Sequence, residues 1–168
     1  TGANLTGANL ADANLTGGIL TSAKLGDANL TWADLTGANL AQAYLEDANL
    51  TRANLTDSDM SSAGLDGSNL TDTNLKRAKL NNVDLTGANL TRANLDDANL
   101  ADANLTNANL EGANLVGANL VGANLVGANL IDANLTGADL WRVVLTDAVV
   151  RNSNFAGAKM PDIDLRNA

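Results

Sequence analysis

The hydrophobic pattern of this chain repeats every five residues. From Leu5 to Leu165 every fifth residue is apolar, 33 positions in all, and only Met60, Val150, Phe155 and Met160 among them are not Leu. Two residues before each stands a small or β-branched side chain, usually Ala (Ala3, Ala8, Ala13). The exceptions are Gly18, Ser58, Ser68, Thr73, Val83, Val143, Ser153 and Ile163. The consensus unit reads Ala-Asn-Leu-Thr-Gly, and the phase never slips. A period of five fits neither standard element. On an α-helix, residues five apart lie about 140° from each other, so the Leu series would wander over every face. A flat strand would send successive Leu to opposite sides. The pattern predicts a coil that turns a corner in each unit, with residues i−2 and i pointing inward and the other three facing water.

Charge placement sets the circumference. Outward residues one full turn apart sit about 4.8 Å from each other, where opposite charges are favoured over like ones. At a separation of 20 the charged pairs are mostly opposite: Asp57/Arg77, Arg77/Asp97, Arg52/Asp72, Asp72/Arg92, Lys76/Asp96, Asp59/Lys79, Asp139/Lys159 and Arg142/Asp162. Only Asp27/Asp47 and Glu46/Asp66 are alike. At 15 every pair is alike, and at 25 like pairs dominate. A separation of 10 also leans opposite, but a two-sided coil leaves no interior for Leu. Four units per turn give a four-sided solenoid of about eight coils, roughly 40 Å long. Asn29, Asn49, Asn69, Asn89, Asn109 and Asn129 then share one column and are expected to form a side-chain ladder.

A unit with Ala at i−2, Asn or Asp at i−1 and Leu at i resembles the pentapeptide repeat family, and the resemblance covers essentially the whole chain. It implies an all-β fold, a right-handed quadrilateral parallel β-helix with four pentapeptides per coil. It also implies a setting: members are common in cyanobacteria and other bacteria. A subset are acidic DNA mimics that bind type II topoisomerase (DNA gyrase). Those usually carry loop insertions, which this chain lacks, and a dimer contact at the C-terminal end.

Composition narrows the function. The 168 residues carry 10 basic and 19 acidic side chains, a formal charge of −9, and neither His nor Cys. Triads, thiolate metal sites and imidazole bases are therefore excluded, and no P-loop or GxGxxG motif occurs. A regular solenoid side is expected to offer no cleft in which a carboxylate pair would be desolvated. The expectation is a protein that is not an enzyme and takes no cofactor. Net negative charge disfavours direct nucleic-acid binding and anionic lipid. No apolar run approaches the ~20 residues a membrane span needs, so no membrane partner is expected and the cytoplasm is the default compartment. The chain starts at Thr1 without Met, consistent with trimming, processing or a segment of a longer, partly consensus-like protein.

Two regions are candidates for contacts. The side centred on Leu25, Leu45, Leu65 and Leu85 holds seven acids against two bases, and the other sides are nearly balanced. Its candidate interaction residues are Asp27, Glu46, Asp47, Asp66 and Asp84. Shared cation binding by this cluster is the weaker reading, because no Ca²⁺-binding repeat motif accompanies it. Residues 1–168 read as one array, with degenerate repeats over 141–168. There Trp141, Val149, Val150, Phe155 and Met160 are expected to form a C-terminal cap or an interface, the latter giving an end-to-end homodimer. Val116, Val121, Val126 and Ile131 face outward in successive units, and Trp32 and Tyr44 stand as isolated exposed aromatics. The expected function is a non-enzymatic, rigid acidic solenoid acting as a protein-interaction or structural module. The alternative is a DNA mimic that binds, and inhibits or protects, type II topoisomerase.

Overall fold

The computed structural model describes residues 1–161, and the path of the chain follows from where each backbone amide finds an acceptor. Three amides of every unit cross to neighbouring coils. Leu5 N donates to Lys24 O (2.7 Å), Gly7 N to Gly26 O (2.8 Å), and Lys24 N back to Ala3 O (2.8 Å). The fourth closes a corner, Ala8 N donating to Leu5 O at 2.9 Å. The fifth, that of the residue after Leu, turns to a side chain: Thr6 N donates to Asn4 Oδ1 at 3.2 Å. Buried or not, a main-chain donor left without a partner is costly away from water. Asn or Asp at i−1 thus caps an amide that the coil itself cannot satisfy, an Asx turn.

Parallel bridges join residue i−1 of each unit to the residue 20 positions on, from Asn4–Lys24 to Asp139–Lys159. Four corners separate successive bridges in one file, as the charge pattern predicts. The strand-like stretches are each a single bridging residue, because a corner every five residues leaves no room for an extended strand. Asp57, Arg77 and Asp97 stand in one vertical file: Asp57 N bonds Lys76 O and Arg77 N bonds Asp96 O.

Each corner bonds i to i+3 and has a left-handed third residue, the pattern of a type II turn. All 32 residues at this place, from Gly2 to Gly157, have φ between +54° and +71°. Gly occupies 12 of these places, but Trp32, Arg52, Arg77 and Arg142 also adopt it. The cross-coil bonds over-determine a conformation that costs such residues roughly 1–2 kcal/mol.

Inside, Ala and Leu are fully buried from Ala23 to Leu145. The first coil is different: Leu5, Leu10, Leu15 and Leu20 are only partly buried. Ser58, Ser68 and Thr73 are buried at i−2 places. The Ser68 hydroxyl donates to Leu65 O (2.6 Å) and that of Thr73 to Leu50 O (2.7 Å). The Ser58 hydroxyl has no partner.

One expectation is revised. The column from Asn29 to Asn129 is continuous through its backbone bridges, yet its amide side chains join neighbours only at Asn9–Asn29 (3.1 Å) and Asn109–Asn129 (3.0 Å). Between these, the oxygens of Asn49, Asn69 and Asn89 are taken by the Thr two residues on. The more continuous ladder runs from Asp34 through Asn54, Asn74 and Asn94 to Asn114, with steps of 3.1–3.4 Å. Val116, Val121, Val126 and Ile131 occupy the outward place after Leu and are half-buried there. Among the described residues no helix is long and apolar enough to cross a membrane.

Candidate functional site

Among the described residues six ion pairs, all between residues 20 apart, join acids and bases: Arg52–Asp72, Arg92–Asp72, Arg77–Asp57, Lys76–Asp96, Lys79–Asp59 and Lys159–Asp139. Arg77 grips Asp57 through two bonds of 2.7 Å and leaves Asp97, its other expected partner, without a direct bond. The hydrogen bond from Arg77 holds the Asp57 carboxyl below its ordinary range. That from Arg92 does the same for Asp72. At Asp59 burial pushes upward but is outweighed by the Ser61 hydroxyl, the Ser61 amide and Lys79. The Arg142–Asp162 pair lies outside the described residues.

All six pairs fall on three sides of the coil. On the fourth, Asp27, Glu46, Asp47 and Asp66 have neither a basic partner nor a hydrogen bond to their carboxylates. Asp27 and Asp47 occupy successive coils at the corner, and Glu46 and Asp66 do so in the file beside it. Asp84 departs from the expected set. Its carboxylate accepts bonds from the Thr86 amide (3.0 Å), the Thr86 hydroxyl (2.6 Å) and Asn104 (3.3 Å), so it caps the backbone.

The side is not flat. A groove of about 330 Å³ is lined by Thr6, Lys24, Gly26, Asp27, Tyr44, Glu46 and Asp47. Gly26, one coil before Glu46, contributes no side chain to it. The Glu46 carboxylate folds into the space a Cβ on Gly64 would need. Tyr44, 52% exposed, stands on the groove. Among the described residues no group of three acids is placed to hold a metal ion.

The regular coil continues into the degenerate repeats, with bridges reaching Lys159. Val150 and Phe155 pack partly against the core, whereas Val149 and Met160 are exposed. Trp141 sits apart from them on a side face, stacked with Arg142 at 5.1 Å. There it borders a notch of about 490 Å³ with Asp102, Val121 and Gly122. Trp32 is exposed, and Arg52 lies over its ring at 4.9 Å.

Sequence reasoning missed one feature of the acidic side. In all 24 described units with Asn or Asp at i−1, that side chain accepts the amide two residues on; Thr6, Thr51, Thr86 and Val121 are examples. Where Lys24, Tyr44 and Gly64 replace it, the amides of Gly26, Glu46 and Asp66 have no such cap; those of Thr21, Asn81, Thr146 and Arg151 also lack it, but not on successive coils. These three stack in one file, with Gly26 and Glu46 on the groove. Three non-Asx residues spaced by 20 at i−1 were the available signal.

Comparison with known proteins places this geometry. The family profile for pentapeptide repeats matches in eight copies that together extend over residues 1–168. The crystal structure of HetL, a pentapeptide repeat protein involved in heterocyst differentiation regulation in the cyanobacterium Nostoc sp. strain PCC 7120, is similar at 31% identity. That match covers 99% of this chain and 86% of HetL, with a TM-score of 0.58. Rfr23, a pentapeptide repeat protein from the cyanobacterium Cyanothece 51142, is 38% identical over 54% of this chain and 63% of its own, TM-score 0.54. QnrB1, a plasmid-mediated fluoroquinolone resistance protein, superposes with a TM-score of 0.92 over the whole chain and 86% of its own, at 20% identity, a likeness of fold. No curated protein matches the sequence. Proteins with these repeats form right-handed β-helices and generally serve as structural or binding modules. The chain belongs to the pentapeptide repeat family.

Proposed function

We propose that this right-handed, four-sided rod is a non-enzymatic protein-interaction module that presents its acidic side to a basic surface of a partner protein. The observation that carries the reading is the segregation of charge. All six ion pairs among the described residues lie on three sides, while Asp27, Glu46, Asp47 and Asp66 are left without one on the fourth. Unpaired charge on a rigid support steers a complementary surface with little reorganisation on binding. The degenerate end, with Val149, Val150, Phe155 and Met160, serves in this reading as a cap or as the contact of an end-to-end homodimer. Light scattering separates those roles.

The test is binding to immobilised poly-L-lysine as a function of salt. Neutralising Asp27, Glu46, Asp47 and Asp66 to their amides is expected to weaken binding more than the same change at Asp57, Asp59, Asp72 and Asp96. Equal losses would remove the special role of this side. The second reading, a DNA mimic acting on type II topoisomerase, draws on the same acids. B-DNA carries one charge per about 1.7 Å, more than twice the density of nine net charges along roughly 40 Å. A gyrase supercoiling assay decides it, and no inhibition at micromolar protein eliminates the mimic.

A further inference from the structure

Beyond the acidic cluster along the rod, a second depression brings together an acid and a base that do not meet. We propose that the notch between Asp102 and Arg142 binds a free α-amino acid, with its ammonium group on Asp102, its carboxylate on Arg142 and its side chain against Val121 and Trp141. The notch has a volume of about 490 Å³ and is lined by Asp102, Val121, Gly122, Trp141 and Arg142. Asp102, Gly122 and Arg142 succeed one another in one corner file at intervals of 20 residues. Where a base stands one coil above or below an acid, the pair closes directly: Arg77 on Asp57 and Arg92 on Asp72 each make a bond of 2.7 Å. Here the base stands two coils away, and Gly122 keeps the place between them open. The Asp102 carboxylate leans into the space that a side chain on Gly122 would take. Arg142 turns aside and lies over the Trp141 ring at 5.1 Å. Among the described residues neither Asp102 nor Arg142 makes an ion pair.

Corners that share part of this arrangement are closed or lack the base. In the file of Arg92, Gly112 and Asp132, Arg92 is committed to Asp72 by two bonds, and its Cγ lies 3.4 Å from where a Cβ on Gly112 would be. Asp47 and Asp97 lean over Gly67 and Gly117 as Asp102 leans over Gly122, but the next coil offers only Gly87 and Gly137. Opposite charges held apart select the ligand. A simple cation would gain Asp102 and be repelled by Arg142, and a simple anion would meet the reverse. A molecule with both charges a short distance apart satisfies both. In an α-amino acid the ammonium nitrogen and the carboxyl carbon are about 2.5 Å apart. With the Asp102 carboxylate raised to the level of Gly122, one coil step of about 4.8 Å remains to the coil of Arg142. The dipoles of ligand and notch then lie side by side and antiparallel. Stacking on Trp141 holds the guanidinium fork in one orientation, suited to a carboxylate. Val121 is half-buried and Trp141 exposed, which leaves an apolar wall for a side chain such as that of leucine.

The experiment titrates the full chain with L-leucine, following the Gly122 amide, the Trp141 indole N–H and the affinity. Saturable shifts at millimolar leucine are expected there and not at the Trp32 indole. Leucine methyl ester lacks the anion and N-acetylleucine the cation. Each should bind about tenfold or more weakly than leucine, the scale of a lost hydrogen bond between charged groups. Asp102→Asn and Arg142→Gln should bring the same loss. Gly122→Asp places an acid one coil from Arg142, as Asp57 is from Arg77, and should abolish binding. Residues other than Gly hold 20 of the 32 corner places, and an unshifted or raised thermal midpoint confirms the fold. Absence of a saturable shift with leucine overturns the inference. Equal binding of leucine, its ester and its N-acetyl derivative does so too, because it would mark apolar contact alone. If Arg142→Gln binds as the parent does, the charge pairing falls. Asp27→Asn/Asp47→Asn should leave leucine binding unchanged, and the poly-lysine result judges the acidic side separately.

Discussion

The coil through residues 56–75 and the coil through 116–135 share one backbone and are stabilised in opposite ways. The later coil has Ala118, Ala123, Ala128 and Ala133 inside with four Leu, all buried. Its corners are Gly117, Gly122, Gly127 and Asp132, left-handed throughout, and no ion pair reaches it. The earlier coil replaces three of the four inner Ala by Ser58, Ser68 and Thr73, and one Leu by Met60. One of its buried hydroxyls is unpartnered, and its corners are Asp57, Ser62, Gly67 and Asp72. Yet Asp57, Asp59 and Asp72 engage in four of the six ion pairs. The comparison teaches that the ladder tolerates a poorer interior where charges outside reinforce the stack.

The largest effect should come from the core that both coils share. Leu125→Ala and Leu70→Ala should each cost about 2–5 kcal/mol in denaturant titrations. A cost for Leu70→Ala below ~1 kcal/mol would mean that the 56–75 interior is not packed, and the comparison would fail. Next, Ser58→Ala should stabilise by roughly 1–3 kcal/mol by removing a buried hydroxyl without a partner. The reciprocal Ala118→Ser should destabilise, and equal responses would erase the difference between the coils.

At the corners, Gly127→Ala should cost on the order of 1–2 kcal/mol, because an L side chain resists the left-handed conformation. Ser62→Gly should be neutral or mildly stabilising, read as a shift in the thermal midpoint. The smallest effect is acid-linked. Asp57, Asp59 and Asp72 have carboxyl pKa values lowered in the folded protein. Their contribution is present above the unfolded carboxyl value of about 3.9 and is lost as pH falls through the folded values. Hydrogen exchange should therefore quicken in coil 56–75 below about pH 4, ahead of coil 116–135. Asp57→Asn/Asp72→Asn should flatten that dependence, and uniform exchange along the array would contradict it.

Much of the architecture was legible because its determinants are local and repeated. A five-residue hydrophobic period forces a corner in each unit, and opposite charges at a separation of 20 reveal which units stack. Less of the candidate site was legible. Asp27, Glu46, Asp47 and Asp66 were identified as one side, but Asp84 looked equivalent to them until Thr86 and Asn104 were seen to occupy its carboxylate. Trp141 was grouped with the end residues, whereas it stands on a side face beside Gly122. The groove was not expected at all. It lies where Gly26 stands 20 residues from Glu46 and beside Lys24 and Tyr44, a juxtaposition that composition does not display.

Period, phase and charge register are properties of residue order, so they settle the unit, the four-unit turn and the inward Ala and Leu without coordinates. Which carboxylates stay open and where the rod has a groove depend on how neighbouring coils share donors and space. The same Asx residue satisfies an amide two places on in its own coil and contacts the next coil 20 residues away. Only folding reveals which partner wins, because that competition is resolved by distances across the stack.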